Sequence, residues 1–108
     1  MSLPRLLIAA LALSFPVSAM AAEDYTLVLK DHVFTPAELE VPAGKKVKIL
    51  VKNEDATSAE FESKELNREK VIQGHSSAVV SVGPLKPGTY PFVDEFHEDV
   101  AKGSIVVK

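Results

Sequence analysis

Residues 46–52, in the middle of the chain, read Lys-Val-Lys-Ile-Leu-Val-Lys, with a β-branched residue at every second position. Val47, Ile49 and Val51 fall on one side of an extended segment, because successive side chains of a strand point to opposite faces. This period predicts a strand with one buried face. Further short extended segments, each bounded by turn-forming residues, are predicted at residues 25–30, 39–41, 78–82 and 106–107, with a shorter piece at 60–62.

Residues 65–68 are compatible with one helical turn, but no long stretch has helical periodicity. Short strands separated by regular turns predict an all-β sandwich and argue against a helical bundle. Residues 85–90 read Leu-Lys-Pro-Gly-Thr-Tyr, which is similar to the tyrosine corner of Greek-key sandwiches. In that motif the tyrosine hydroxyl bonds back to the backbone a few residues upstream. The predicted fold class is therefore a Greek-key β-sandwich.

The first residues have the pattern of a secretory signal peptide. A positive start ends at Arg5, an apolar run covers residues 6–17, and Ala19 and Ala21 give the small-x-small cleavage pattern. We expect residues 1–21 to be cleaved, so that residues 22–108 form one domain in the periplasm. A retained membrane anchor is the alternative, which the missing charged stop-transfer flank disfavours.

Composition excludes several classes of function. The net charge of −3 argues against nucleic acid or an anionic membrane surface as a partner, since both attract basic patches. The chain has no cysteine, and both methionines, Met1 and Met20, precede residue 22. Thiol chemistry and thiolate metal sites are therefore unavailable. Sequence motifs of serine hydrolases, P-loop proteins and zinc proteases are absent.

Residues 94–99 place four carboxylates around one imidazole. Like charges this close repel each other, and a bound cation would relieve the repulsion. We predict His97, Asp94 and Glu95 as candidate metal ligands, because a turn at residues 95–96 can converge Asp94 and His97 on one ion. An ordinary solvated loop is the alternative. If the site is correct, replacing His97 or Asp94 by Ala should weaken metal binding and leave the fold intact.

Other candidate ligands lie earlier in the chain. Glu60 and Glu62 share one side of an extended segment and could face the ion, with Phe61 directed into the core. A solvated edge with surface ion pairs is the alternative reading. His32 is predicted at the same end of the sandwich as the site, and His75 at the opposite end.

Several segments together resemble the single-domain cupredoxin-like proteins that accompany periplasmic iron permeases of the Ftr type. The resemblance covers nearly all of residues 22–108, and its segments are residues 34–36, 41–44, 53–55, 61–63, 85–90 and 92–103. It maps the family's Asp and His pair onto Asp94 and His97, and its acidic segment onto Glu60 and Glu62. Electron-transfer cupredoxins carry a cysteine at the position of Asp94 and a methionine at that of Ala101.

The resemblance implies a cupredoxin fold that binds copper, iron or both, assists the oxidation of ferrous iron, and works with a membrane iron permease and its periplasmic companions. Anionic oxygen ligands favour Fe(III), and a carboxylate with imidazole also suits Cu(II). Ferroxidase-type turnover is left open. The alternatives are a carrier of copper or another divalent metal without redox turnover, and a metal-free interaction domain.

Overall fold

The structure, a computed structural model, describes residues 23–108. Within that range the chain forms nine β-strands and one short 3-10 helix. The strands are β1 (Glu23–Lys30), β2 (Val33–Thr35), β3 (Glu38–Val41), β4 (Val47–Asn53), β5 (Ala59–Ser63), β6 (Arg68–Ile72), β7 (Ser76–Val82), β8 (Gly88–Asp94) and β9 (Lys102–Val107), and the helix is Glu95–His97. The predicted signal peptide lies outside the described residues. No helix in the described part is long and apolar enough to cross a membrane.

The strands form two mixed sheets, which confirms the predicted all-β sandwich. A four-stranded sheet has the order β2-β1-β4-β7, and a five-stranded sheet has the order β3-β9-β8-β5-β6. The pairs β1–β4 and β3–β9 are parallel, and the remaining pairs are antiparallel.

The core lies between the two sheets, and the alternation in β4 explains its orientation. Val47, Ile49 and Val51 are fully buried, whereas the lysines between and beside them are exposed. At one end of the core, Phe92 of β8 stacks on Phe61 and meets the edge of Phe34, with both pairs of ring centroids 4.9 Å apart. These rings join the two sheets, because Phe34 belongs to the four-stranded sheet and the other two to the five-stranded sheet.

The tyrosine corner is present as predicted. The hydroxyl of Tyr90 donates a hydrogen bond to the backbone oxygen of Lys86, at 2.8 Å. This bond fixes the start of β8, the strand that carries Asp94 at its other end.

The prediction of one helical turn at residues 65–68 is wrong. Residues 64–67 form a turn, closed by a bond from the Asn67 amide to the Lys64 oxygen, and β6 begins at Arg68. Sequence reasoning missed β6 because only Ile72 of its five residues is buried, so the strand has no apolar alternation to detect. Its hydrogen bonds with β5, rather than a buried face, define it.

Three connections meet at one end of the sandwich. They are the turn after β1, the loop after β4 and the loop after β8. The backbone amides of Asp31 and His32, between β1 and β2, bond to the side chain of Asp55 in the loop after β4. The amide of Glu60, at the start of β5, bonds to the side chain of Asp94 at the end of β8.

Candidate metal centre

Asp94 is fixed at the end of β8 by the backbone around it. The residue has no exposed surface and caps the 3-10 helix that follows. Its Oδ1 atom accepts hydrogen bonds from the amides of Phe96, at 3.0 Å, and Glu60, at 2.9 Å. A carboxylate can be buried at modest cost when amide donors compensate for lost hydration.

The 3-10 helix brings His97 onto the same carboxylate. Residues three apart in such a helix lie above one another, and the Nδ1 atom of His97 is 2.8 Å from Oδ2 of Asp94. The loop then closes on itself, because the Ala101 amide donates to the His97 oxygen and the Asp94 amide donates to the Ala101 oxygen, both at 2.9 Å. The imidazole remains about a third exposed, at 29 %. The predicted turn that converges Asp94 and His97 is therefore present.

His32 joins these two residues from the other sheet. It lies in the turn between β1 and β2, and its ring stacks on that of His97 with the centroids 4.0 Å apart and the planes at 29°. The Nδ1 atom of His32 is buried without a hydrogen-bond partner. The nearest carboxylate oxygen identified, Oδ2 of Asp55, is 3.6 Å away, too far for a good hydrogen bond.

His32, Asp94 and His97 together form a candidate metal centre. Each offers one donor atom, and these atoms all lie within 4.8 Å of one another. Two imidazole nitrogens and one carboxylate oxygen suit Cu(II), Zn(II) or Fe(II), whereas the soft thiolate of a blue copper site is missing. The buried, unpartnered nitrogen of His32 fits this interpretation, because a buried polar atom without a partner is costly unless a ligand satisfies it.

The other predicted ligands lie outside this group. Glu60 and Glu62 alternate in β5 with buried Phe61, as predicted, and so project from the outer face of the five-stranded sheet. Glu95 is exposed on the 3-10 helix. Residues Glu60, Glu62, Glu69 and Glu95 are called the acidic face below. The structure thus brings three of the six candidate ligands together and leaves the other three, Glu60, Glu62 and Glu95, in the acidic face.

The acidic face carries an unfavourable concentration of negative charge. A hydrogen bond with the Glu95 side chain, partial desolvation, and the charges of Glu95, Glu69 and Glu62 raise the pKa of Glu60 above its ordinary value. Glu62 and Glu69 are direct cross-strand neighbours, a pairing of like charges that destabilises a sheet. No lysine or arginine ion pair offsets these charges among those found in residues 23–108.

Asp55 contacts the turn that carries His32, and the sequence analysis did not identify it as part of the candidate centre. Desolvation raises the pKa of its carboxyl group, but the hydrogen bonds from the His32 and Asp31 amides, with the positive potential of His32 and His97, hold the pKa below its ordinary value. The available signal was the turn-forming segment at residues 53–55, which indicates a loop but not the side chain that the loop contacts.

The predicted position of His75 is wrong. Its amide donates to the backbone oxygen of Asp55, at 2.9 Å, so His75 lies at the same end of the sandwich as the candidate centre. The expectation failed because Asn53 and Ser76 are paired across β4 and β7, which places the turn before β7 beside the loop after β4. Its side chain is exposed, and it is not part of the group that includes His32.

Comparison with known proteins identifies the family. The sequence profile of the Cupredoxin-like domain matches residues 5–107. The chain belongs to this family. A relative of this cupredoxin is the uncharacterized protein RP394 of Rickettsia prowazekii (strain Madrid E), which is 43% identical over 81 residues. The match covers 75% of this chain and 65% of that protein, so the cupredoxin spans about two thirds of its relative's length.

Solved structures share the fold at low identity. Auracyanin A, described as a blue copper protein from Chloroflexus aurantiacus, has a TM-score of 0.69 at 18% identity, over 82% of this chain and 100% of its own. A purple cupredoxin from Nitrosopumilus maritimus has a TM-score of 0.60 at 16% identity, over 77% of this chain and 98% of its own. At such identities the likeness establishes the fold alone. This chain has no cysteine, so a copper–thiolate bond is not available to it.

Proposed function

We propose that this cupredoxin is a periplasmic metal-binding protein whose resident ion is copper, held by His32, Asp94 and His97. The observation that carries the proposal is the convergence of three donor atoms, one from each residue, within 4.8 Å of one another. His32 also has a buried ring nitrogen without a hydrogen-bond partner. The carboxylate is already ordered by two amides, so little reorganisation is needed for it to act as a ligand.

The donor set suits Cu(II), and it differs from the sulfur-containing copper sites of electron carriers. Imidazole and carboxylate suit Cu(II), and the missing thiolate removes the bond responsible for intense blue colour. Asp94 would contribute one oxygen, because its other oxygen is occupied by two amides. His97, partly exposed, would form the side of the centre that faces solvent.

A more specific proposal concerns the role of the bound metal. The protein would assist ferrous iron oxidation during uptake, with iron as the substrate and a membrane iron permease as partner. Bound copper would supply a one-electron acceptor for Fe(II). The acidic face would attract the incoming cation, since four carboxylates without basic partners produce a negative potential at the surface. The predicted signal peptide and the resemblance to permease-associated proteins support the location and the partner.

A copper or divalent-metal carrier without redox turnover is the second candidate. One observation favours it: in the part of the chain that the structure describes, one group of three potential ligands comes together. A ferroxidase needs a place for iron as well as for the resident ion. A carrier needs one site.

The first test is a titration of purified, metal-free protein with Cu(II). Calorimetry measures the affinity, and electron paramagnetic resonance identifies the ligands. His32→Ala and His97→Ala should each weaken binding, whereas His75→Ala should bind as the wild type does. His75 is a matched control, because it is a histidine at the same end of the sandwich but outside the group.

Oxygen uptake with ferrous iron then separates the two candidates. Copper-dependent consumption of oxygen that is lost in His97→Ala supports iron oxidation. Tight copper binding without consumption supports the carrier. A protein that takes up neither copper nor iron would leave only the metal-free interaction domain.

A further inference from the structure

The turn that carries His32 has an uncommon backbone conformation. Lys30 and Val33 are paired across β1 and β2, so residues 31 and 32 alone reverse the chain. Asp31 has a φ of 52° and His32 a φ of 60°. Two-residue turns of this kind favour Gly, Asn or Asp, because most other side chains are strained at positive φ, and Asp and His tolerate this conformation better than most. Contacts from outside the turn add to its stability.

Asp55 supplies that stabilisation from 23 and 24 residues away. Its Oδ1 atom accepts the amide of Asp31, at 2.6 Å, and its Oδ2 atom accepts the amide of His32, at 3.0 Å. Each oxygen holds one residue of the turn, so the carboxylate matches the two amides as a pair.

Asp55 is itself held rigidly. Its amide donates to Oδ1 of Asn53, at 3.0 Å, and its backbone oxygen accepts the amide of His75, at 2.9 Å. Asn53 is buried, and its amide group donates to the backbone oxygens of Thr57, at 2.9 Å, and Ile72, at 3.1 Å. The contacts thus run from the buried Asn53 through Asp55 to the turn.

We infer that Asp55 is a positioning residue of the metal centre: its carboxylate holds the β1–β2 turn closed and so places the His32 imidazole against His97. The inference rests on the proposed metal function. Asp55 does not contact the ion in this role. Asp55 orders the site in the metal-free protein, since the turn, the stacked rings and the unpartnered nitrogen of His32 are all present without an ion.

The first test uses metal-free protein. Asp55→Ala should lose the hydrogen-exchange protection of the Asp31 and His32 amides, measured by NMR, while strands β4 and β8 stay protected. Unchanged exchange at both amides would overturn the inference, because it would mean that the turn is held by something else.

The second test uses Cu(II) as the probe. In wild-type protein the paramagnetic resonance spectrum should show two coupled imidazole nitrogens, and in His32→Ala only one. Asp55→Ala should resemble His32→Ala and bind copper about 10- to 100-fold more weakly, the usual cost of losing a residue that orients a metal ligand.

A rescue separates positioning from general damage. Asp31→Gly relieves backbone strain at one of the two turn positions, because Gly adopts positive φ freely. The double variant Asp31→Gly with Asp55→Ala should recover part of the copper affinity, whereas Asp31→Gly alone should bind copper as the wild type does. If Asp55→Ala does not fold, Asp55→Asn takes its place. This variant keeps one acceptor oxygen, so its copper affinity should lie between those of the wild type and His32→Ala.

The possible results distinguish the two proposals. A wild-type protein that takes up no Cu(II) ends the metal-centre proposal itself. The role of Asp55 alone would be refuted by a different set of results. The wild type would show two coupled nitrogens and His32→Ala one, while a folded Asp55 variant would also show two and bind copper with unchanged affinity.

Discussion

The Nδ1 atom of His97 lies 2.8 Å from Oδ2 of Asp94, on a carboxylate that has no exposed surface. The other oxygen of Asp94 is occupied by two backbone amides. Oδ2 is therefore the atom that would serve either the imidazole or a cation. A single buried side chain thus caps the 3-10 helix, bonds to β5 and orients the histidine.

This arrangement predicts different outcomes for two substitutions at Asp94. Asp94→Ala should lower the free energy of unfolding by about 1–3 kcal/mol, because the amides of Glu60 and Phe96 lose a buried acceptor, and it should lose metal affinity. The sequence alone predicts that this variant leaves the fold intact, and the burial of Asp94 adds to that expectation a loss of stability. Asp94→Asn keeps an oxygen for the amides and should be more stable than Asp94→Ala, but should bind copper more weakly than the wild type. Urea unfolding and copper titration measure both effects, and an Asp94→Ala variant as stable as the wild type would contradict this account.

Glu60→Gln should stabilise the protein at neutral pH. Because neighbouring carboxylates raise the pKa of Glu60 in the folded state, the folded protein binds this proton more tightly than the unfolded chain does. The destabilising repulsion is therefore present above the folded-state pKa and disappears as the pH falls through it. Melting curves should show a gain at about pH 7 that vanishes near pH 3, where carboxylates are protonated in both states. Glu38→Gln, on the opposite edge strand of the same sheet, is the control; an equal gain there would mean that net charge, not the acidic face, is responsible.

Tyr90→Phe should test the tyrosine corner. The substitution removes only the hydroxyl that bonds to Lys86, so the free energy of unfolding should fall by about 1 kcal/mol. For a domain of this size that corresponds to a melting temperature about 4–8 °C lower. The copper spectrum should stay unchanged, because the bond lies at the start of β8 and Asp94 at its end. No loss of stability would show that the hydroxyl is equally well satisfied by water.

The copper-loaded protein should be pale. Without a cysteine, the intense charge-transfer absorption of a copper–thiolate bond cannot arise, and only the weak bands of nitrogen and oxygen ligation remain. Visible absorption spectra before and after Cu(II) addition measure this directly. A strong blue colour would be incompatible with the donor set described here.

The sequence predicted the fold well because strand alternation is a local signal. β4 and the tyrosine corner were both predicted from a few consecutive residues. β6 was not, since its four exposed residues contain no pattern that distinguishes a strand from a turn. The convergence of Asp94 and His97 was also predictable, because both lie in one short loop.

The remainder of the candidate centre depends on contacts between distant parts of the chain. His32 meets His97 only because the two sheets pack together, and its turn is held by Asp55, 23 residues away. Spacing alone could not reveal that contact. The alternation of Glu60 and Glu62 with Phe61 was predictable, but which outward residues approach the site depends on the path of the whole sheet.

The two imidazoles are attached to different layers of the sandwich: His32 follows β1 of one sheet, and His97 follows β8 of the other. A cation held by both would cross-link the layers reversibly, in a domain that has no disulfide to do so. Because such an ion binds only the folded state, the protein should melt at a temperature that increases with free metal concentration. Chelation would then loosen this end of the molecule first, so that resistance to unfolding would depend on the supply of metal.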